Sequence, residues 1–440
     1  MESDAMGVRA SDGSEQPARR AAVAERWEDG RMMNSLGDAV LPLIRTRADL
    51  HRYSTASQHG GQMHEAVDIL ESAIPTADPV EVHEVVHKAL ASAIKVIARA
   101  DDSAGIIGDA CRRLLGLHPQ TAAAAQVSAV KLVDWMMKFQ FDGDVDYFEL
   151  DPVAYAPGLG AKGVGTYRDQ LEEVRAKLSP EPGDHLARDP DRHERWILEW
   201  NDKRLAVLDG DVEAIIRTHA RDRKVAVWFQ DTAEAFEEIG EIDLAIDWAR
   251  QALDVGPSHQ SLKAAEYWSE LLSAYRPTEE LDARLTVFRR WPSSTTAARL
   301  HNAAGHEWAS HAEEVITTLS KRPDDAVLFT LLTLRDVNRA WSLAHELTLD
   351  TDRTWVELIK AYEKVDPVAT LPIHRRLVER ELIEAGVQHY RLAARRLAKM
   401  RKLSAGTRNS VEVADFIADL REIHRRRPRL QQEFDRAGLP

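Results

Sequence analysis

The sequence predicts an all-α fold: a helical-repeat α-solenoid of the tetratricopeptide (TPR-like) type, joined to an N-terminal helical domain. Two observations support this prediction. Apolar residues recur at the three-to-four-residue spacing of amphipathic helices through most of the chain. The segment 240–257 also has the residue types of the second helix of such a repeat. Gly240 fits a turn, Ala245 fits a close approach between helices, and Pro257 fits the position after a helix end.

The helical pattern divides the chain into three parts. Residues 1–30 carry few large apolar side chains, so we expect a disordered leader. Residues 31–180 are expected to form the N-terminal helical domain, and the proline-containing segment 179–184 has the composition of a linker. Residues 190–440 are then expected to form the repeat array, which agrees with the two or three domains that 440 residues imply.

In the N-terminal domain, the helix boundaries follow from capping and helix-breaking residues. Helices are predicted over 80–99, over 104–115 with Gly116 placed to end the second one, and over 122–139. The segment 141–165 opens with an acidic turn and continues with clustered glycines, so it is predicted to be a long ordered loop. Its glycines do not fit a phosphate-binding loop, because no strand precedes them.

In the repeat array, successive apolar stripes predict a series of helix pairs. The pairs after the first are 262–275 with 281–291, 297–308 with 312–319, 327–334 with 337–347, 355–365 with 373–385, and 387–402 with 411–425. A terminal helix is predicted over 430–437. In such an array each pair buries its apolar stripe against its neighbours, and the exposed surface of the array is available to a partner.

The charge of the chain is uneven. The formal net charge is −14, yet 16 lysines and arginines stand against 9 aspartates and glutamates between Arg375 and Arg436. This basic C-terminal end is either a solvated surface or a site for an anionic partner, such as an acidic protein segment or nucleic-acid phosphates. Because no aromatic residues alternate with the basic ones, a protein partner is preferred. The candidate residues are Arg395, Arg396, Lys399, Arg425, Arg426, Arg427 and Arg429.

The single cysteine and the lack of long apolar runs bear on location. Cys111 alone excludes a disulfide framework and a thiolate zinc site within one chain, and it fits a reducing cytoplasm. No apolar run reaches the ~18 residues that a membrane span needs, and the first residues lack the apolar core of a secretory signal. A cytoplasmic protein without a membrane partner is therefore expected.

A His-Glu-x-x-His motif lies in the predicted helix 80–99 of the N-terminal domain. On a helix, His83 and His87 face the same side one turn apart and can share a zinc ion. Glu84 can then act as the general base on a metal-bound water. The motif therefore raises the alternative of a zinc hydrolase, against the simpler interpretation of solvated or partly buried helix histidines.

A third metal ligand does not follow in the sequence. Leu90 and Ala93 stand where the extended metalloprotease motif has glycine and histidine, and the next glutamate is Glu149. Three aspartates remain as substitutes, of which the first two fit helix caps: Asp101, Asp102 and Asp109. The sequence therefore predicts no cofactor and no metal, with His83 and His87 as the candidates if an ion is bound.

Six segments of the chain together resemble a known family. They are 44–50 (IRTRADL), 61–70 (GQMHEAVDIL), 99–103 (RADDS), 139–160, 423–430 (IHRRRPRL) and 437–439 (AGL). They resemble the C-terminal helical region of actinobacterial SWIM-type zinc-finger proteins. The finger of that family needs a Cys-x-Cys and a Cys-x-His pair, which a chain with one cysteine lacks. The resemblance therefore implies a bacterial helical-repeat protein without the zinc finger.

The sequence thus predicts a non-catalytic adaptor that binds a protein partner along its helical-repeat surface. The repeat signature and the incomplete catalytic motifs support this function. A nucleic-acid-associated accessory protein, using the basic C-terminal end, is the first alternative. A zinc hydrolase centred on His83, Glu84 and His87 is the second.

Overall fold

A computed structural model of the protein describes residues 35–143, 148–180, 189–256 and 258–440. Within these ranges the chain is helical and has no strand, which confirms the predicted all-α, helical-repeat fold. The predicted leader 1–30, most of the predicted linker, part of the acidic turn and Pro257 lie outside the described residues. None of the helices within these ranges combines the length and apolar character that crossing a bilayer requires.

The chain forms two compact units. The first comprises the described residues up to Asp222 together with Ala235–Glu241, and the second comprises Arg223–Glu234 and Ile242–Pro440. The helices of the first unit are α1 (Leu36–Ile44), α2 (Tyr53–Ala73), α3 (Pro79–Ile97), α4 (Ile106–Ala124), α5 (Ala129–Phe141), α6 (Pro152–Arg175), α7 (Arg192–Asp209) and α8 (Val212–His219). Helix α9 (Ala226–Glu238) contributes residues to both units.

The second unit continues as a succession of helices. These are α10 (Ile242–Gln251), α11 (His259–Tyr275), α12 (Pro277–Arg290), α13 (Ser294–Ala304), α14 (Trp308–Leu319), α15 (Pro323–Leu328), α16 (Val337–Glu346), α17 (Asp352–Tyr362), α18 (Leu371–Glu381), α19 (Val387–Ser404), α20 (Asn409–Ile423) and α21 (Pro428–Arg436). Most of these helices pack on their neighbours in sequence, and α21 packs on α19. This is the arrangement by which helical repeats bury their apolar stripes.

The segment that predicted the repeat has the expected structure. Gly240 adopts a φ of +82°, which a residue with a side chain rarely adopts, and α10 begins two residues later. Ala245 and Ala252 are fully buried, and Trp248 is nearly so. The ring of Trp248 lies 5.6 Å from that of Phe229, which α9 supplies to the second unit.

Helices α7 and α8, which the sequence placed in the repeat array, belong to the first unit. A buried hydrogen-bond network explains why α7 packs there. The Tyr167 hydroxyl donates to Asn201 Oδ1 at 2.6 Å, Asn201 Nδ2 donates to Gln140 Oε1 at 3.0 Å, and Gln140 Nε2 donates to the Tyr167 oxygen at 2.7 Å. Because the three polar side chains satisfy one another, they are buried at the contact of α5, α6 and α7 without unpaired groups.

The end that was predicted at Gly116 for the helix 104–115 is wrong. Helix α4 continues through Gly116 and Pro119 to Ala124, and the chain turns at Gln126, whose φ is +53°. Leu117 is buried beyond Gly116 and extends the apolar stripe of Leu114, so packing against α3 favours helix on both sides of the glycine. Burial of this continuous stripe outweighs the roughly 1 kcal/mol that an interior glycine costs relative to alanine.

The glycine-rich segment is also not the predicted loop or turn, because it lies inside α6. Asp151 caps this helix by accepting a hydrogen bond from the Val153 amide at 3.0 Å, and only Gly160, with φ +61° and ψ 172°, departs from helical geometry. A Cβ on Gly163 would lie 3.0 Å from the Cβ of Ala129. The absence of a side chain at that position therefore permits the close packing of α6 on α5.

Candidate metal site

Three histidines of the first unit converge where α3 faces α4. Asp78 caps α3, so the helix is continuous through His83 and His87, which share one face and are half-buried. His118 projects from α4 and is 1% exposed. One ring nitrogen from each histidine lies within 4.8 Å of the others.

His87 and His118 make the closest contact of the three. His87 Nδ1 and His118 Nε2 are 3.0 Å apart. Two neutral imidazoles at this distance share one proton in an N–H···N hydrogen bond, and a metal ion can take the place of that proton. Ligand nitrogens in a tetrahedral zinc site with Zn–N bonds of about 2.0–2.1 Å are about 3.3 Å apart, so small side-chain rotations bring the three rings onto one ion.

The hydrogen bonds of Thr121 define which nitrogen of His83 carries a proton. The Thr121 hydroxyl donates to the carbonyl oxygens of Leu117 and His118 at 3.0 and 3.1 Å. Its oxygen therefore accepts from His83 Nδ1, which is 3.2 Å away. We infer that Nδ1 of His83 is protonated and that the lone pair on Nε2 is available to a metal.

Two further side chains orient His118. Its Nδ1 lies 3.1 Å from the hydroxyl of Tyr155, which α6 supplies and which is buried. The Trp135 ring of α5 stacks on the imidazole at 4.0 Å between centroids and an angle of 21°. A hydrogen bond to the nitrogen opposite the ligating one is the usual way in which proteins orient metal-binding histidines.

Burial keeps the three histidines neutral. Burial, together with the nearby His83 and His87, lowers the pKa of His118 to about 3. Burial also lowers the pKa of His83 and of His87 below the ordinary histidine value. At neutral pH all three rings are therefore in the unprotonated form that binds metal ions.

The three histidines line a cleft of about 570 Å³. Val127, Leu132 and Trp135 form its apolar wall. The charged residues on its lining are Glu84, Lys88, Lys131, Asp134 and Lys138. Ligands at this position are consequently reached from solvent, and a molecule bound in the cleft meets both apolar and charged groups.

His118 is the functional residue that the sequence analysis did not identify. The predicted helix ended at Gly116, so His118 fell in a connection and was not placed on the face opposite the motif. The aspartates considered as substitutes have other roles. Asp102 accepts hydrogen bonds from the amides of residues 107 and 108 as a helix cap, Asp101 accepts one from the amide of residue 103, and Asp109 pairs with Arg112 at 2.7 Å. The capping role predicted for Asp102 is confirmed, whereas the bond of Asp101 lies before the first residue of α4.

Three residues of the predicted basic binding site lie on α19 and one lies on α21. Arg395 is exposed and Arg396 is half-buried. Lys399 pairs with the buried carboxylate of Glu363 at 2.7 Å. Arg429, on α21, donates at 3.3 Å to a glutamine one turn later on its own helix. Part of the positive charge is therefore balanced within the second unit.

The remaining predicted residues follow α20. Arg425 pairs with Glu422 on the preceding helix. Arg427 turns inward and donates to the carbonyl oxygen of Leu382 at 2.8 Å, while Arg426 is exposed. Arg425 and Arg427 are thus engaged by different elements, whereas Arg426 between them is exposed.

Two guanidinium groups of the second unit have buried N–H groups without a hydrogen-bond partner among the described residues. These are Nε of Arg396, and Nε and Nη2 of Arg376 on α18. Asp352 lies 3.9 Å from Arg376 Nη2, beyond hydrogen-bonding distance. Burial lowers the pKa of Arg396, while the nearby Glu381 acts in the opposite direction. Unpaired buried N–H groups of this kind attract an acceptor, whether water or an anion.

Comparison with known proteins gives a family but no activity. A family model described as a family of unknown function, DUF6880, matches residues 6–431. No curated protein matches the chain. The family match covers the helices that carry the three histidines and the basic residues. The resemblance to SWIM-type proteins and the TPR-like assignment of the repeats stay predictions.

Proposed function

The chain belongs to the DUF6880 family, and we propose that its first unit binds a single transition-metal ion, Zn²⁺, through His83, His87 and His118. The observation that carries this proposal is the convergence of one nitrogen from each histidine to within 4.8 Å. If the motif on α3 were a chance match, we would not expect a third histidine at the facing position of α4.

The chemistry of the ligand set supports zinc. Neutral imidazoles suit zinc and neighbouring divalent metals, whereas magnesium and calcium prefer oxygen ligands. Thr121 and Tyr155 supply hydrogen-bond partners for the nitrogens of His83 and His118 that would not bind the ion. Three protein ligands also leave a fourth position for water, as in catalytic zinc sites rather than structural ones.

Metal analysis of the full-length protein tests this proposal. We expect wild-type protein to bind one equivalent of Zn²⁺ by calorimetry, and Co²⁺ substitution to give the absorption of a tetrahedral site. His87→Ala should abolish both signals. His306→Ala is the matched control, because His306 is 95% exposed and lies in the second unit. The proposal fails if the wild type binds less than stoichiometric metal, or if both variants bind alike.

An adaptor function remains our second proposal, and the unpaired N–H groups of Arg376 and Arg396 favour it. They lie where α18 packs on α19, with Lys399 one turn further along α19. Carboxylates of an acidic protein segment would pair with the positive charge of these two guanidinium groups, whose side chains are partly exposed. The helical repeats and the resemblance to SWIM-type helical regions support a protein partner, and the single buried Cys111 supports a cytoplasmic location.

Peptide binding tests the adaptor proposal. We expect a labelled ten-residue polyglutamate peptide to bind the full-length protein, with a loss of about tenfold or more in Arg396→Met. Arg395→Met is the control, because Arg395 is the adjacent exposed arginine. Equal binding by the two variants would contradict the proposal. Preference for a single-stranded oligonucleotide over the peptide would favour the nucleic-acid alternative instead.

A further inference from the structure

We propose that the metal site is hydrolytic and that Glu84 is its general base, acting on esters or amides whose acyl part carries a negative charge. This inference rests on the proposed zinc site and adds a reaction, a base and a substrate class to it. It replaces, for the first unit, the non-catalytic role expected from the sequence.

The position of Glu84 makes it the base. It follows His83 on α3, lines the same cleft as the three histidines, and is ion-paired at 3.1 Å with Lys88 one turn later. Its side chain is 61% exposed, so its carboxylate is accessible to a water in the cleft. Among the acidic residues that line the cleft, only Glu84 lies on the helix that supplies two of the ligands, whereas Asp134 belongs to α5.

The coordination leaves room for a reacting water. His83, His87 and His118 would supply three ligands to the ion, and His83 and His87 are half-buried at the surface of the cleft. A fourth ligand position would then be available to a water from the cleft, as in catalytic zinc sites. Zinc lowers the pKa of a bound water toward 7, so a carboxylate is a sufficient base for removing its proton.

The reaction is a hydrolysis with water as the only co-reactant. Glu84 takes a proton from the water, and the resulting hydroxide forms a bond to the carbonyl carbon of the substrate. The bond between that carbon and the leaving oxygen or nitrogen breaks, and Glu84 returns the proton to the leaving group. The products are a carboxylic acid and an alcohol or amine, and Glu84 ends in its starting ionisation state.

The lining of the cleft indicates the substrate class. Phosphatases and nucleases commonly use two metal ions, whereas the three histidines would hold one ion, which can polarise a carbonyl oxygen as a Lewis acid. Trp135 and Leu132 offer an apolar surface to the substrate. Lys131 and Lys138 are exposed one turn to either side of Trp135, where they attract a carboxylate carried by the acyl group.

Three chromogenic esters and full-length Zn²⁺-loaded protein test the proposal. The probes are mono-4-nitrophenyl glutarate, 4-nitrophenyl acetate and 4-nitrophenyl phosphate. We expect kcat/KM to be highest for the glutarate ester, because only its acyl group carries a carboxylate. Glu84→Gln should lower kcat by about 10²–10⁴-fold while it still binds one equivalent of metal. Lys131→Ala with Lys138→Ala should raise KM for the glutarate ester by a larger factor than KM for the acetate ester, because only the glutarate ester carries the carboxylate that the two lysines attract.

The outcomes separate this inference from the zinc site itself. Failure of wild-type protein to bind metal would overturn both proposals. Stoichiometric metal without ester hydrolysis above buffer, or with equal rates in wild type and Glu84→Gln, would overturn only the hydrolytic one. Faster hydrolysis of the phosphate ester would overturn the acyl substrate class. His306→Ala serves as the control, because it should match wild type in every assay.

Discussion

The candidate metal site and the basic C-terminal end differ in how the fold arranges their side chains. His87 and His118 are 31 residues apart in sequence, yet their nitrogens lie 3.0 Å apart. Arg425 and Arg427 are close neighbours in sequence, yet they have different partners. Arg425 pairs with Glu422, whereas Arg427 donates to the backbone carbonyl of Leu382 at the end of α18. Neutral imidazoles tolerate close packing in a buried place, whereas cations repel and require separate partners. Proximity in sequence is therefore a poor guide to a shared site.

The largest expected effect concerns His118. His118→Ala should weaken Zn²⁺ binding on the order of 10³-fold, since it removes one of three protein ligands of a site worth several kcal/mol per ligand. Arg427→Ala should leave metal affinity unchanged. Competition with a chromogenic chelator measures both values, and circular dichroism checks that the variants are folded. If His118→Ala and Arg427→Ala bound Zn²⁺ with similar affinity, His118 would not be a metal ligand.

Lowering the pH should reduce the free energy of unfolding through the buried histidines of the first unit. The arginines of the second unit should not contribute to this pH dependence. Burial lowers the pKa of His219 to about 4 in the folded protein, against 6.5 for the ordinary group. The unfolded chain therefore binds the extra proton first, so this stability contribution is complete above pH 6.5 and is lost as the pH falls toward 4. The loss is on the order of 2–3 kcal/mol.

Urea unfolding at pH 7 and pH 4.5 measures this effect. His219→Gln should be less sensitive to pH than wild type, because it removes the titrating group. Arg425→Gln should show the same pH dependence as wild type, since arginine stays protonated over the whole range. A His219→Gln variant with an unchanged pH dependence would contradict the assignment of the effect to this residue.

Tyr155 tests how far the metal site depends on its supporting residues. Tyr155→Phe removes the hydroxyl that lies 3.1 Å from His118 Nδ1 and keeps the ring. We expect Zn²⁺ affinity to fall about 10–100-fold, the usual cost of losing such a partner. Tyr167→Phe is a control of the same chemical type, because Tyr167 is buried in the same unit but bonds Asn201 instead. Equal affinities in wild type and Tyr155→Phe would show that His118 is oriented by packing alone.

The smallest expected effect is at the basic end. Arg425 and Glu422 are 64% and 70% exposed, so their ion pair is largely hydrated. Arg425→Ala should therefore change the free energy of unfolding by less than about 0.5 kcal/mol. A destabilisation of several kcal/mol, measured in the same urea experiment, would mean that the basic end is as tightly organised as the histidine cluster.

Sequence reasoning located the helices of the second unit well. The helix predicted over 387–402 is observed as Val387–Ser404, and the one predicted over 411–425 as Asn409–Ile423. In these segments the apolar stripe, the helix-breaking residues and the observed burial all indicate the same helix. Prediction of helices from local sequence succeeds under this condition.

The candidate site was predictable only in part. His83 and His87 were found because a helix places residues four apart on one face. His118 was not found, because Gly116 suggested a break in α4, whereas packing against α3 keeps that helix continuous. Gly158 and Gly163 in α6 misled in the same way, since both lie at close contacts with residues of neighbouring helices and not in a loop. A ligand set that spans two helices depends on such packing, which a single sequence does not display.

The position of the histidine cluster in the chain also has a consequence for biosynthesis. His83, His87, His118 and Tyr155 all precede the second unit, which begins at Arg223. Ribosomes add about 5–20 residues per second and N-terminal domains fold first, so the rest of the chain takes on the order of tens of seconds to appear. The first unit is complete once Glu241 has been added, so the proposed metal site can form while most of the second unit is still being translated.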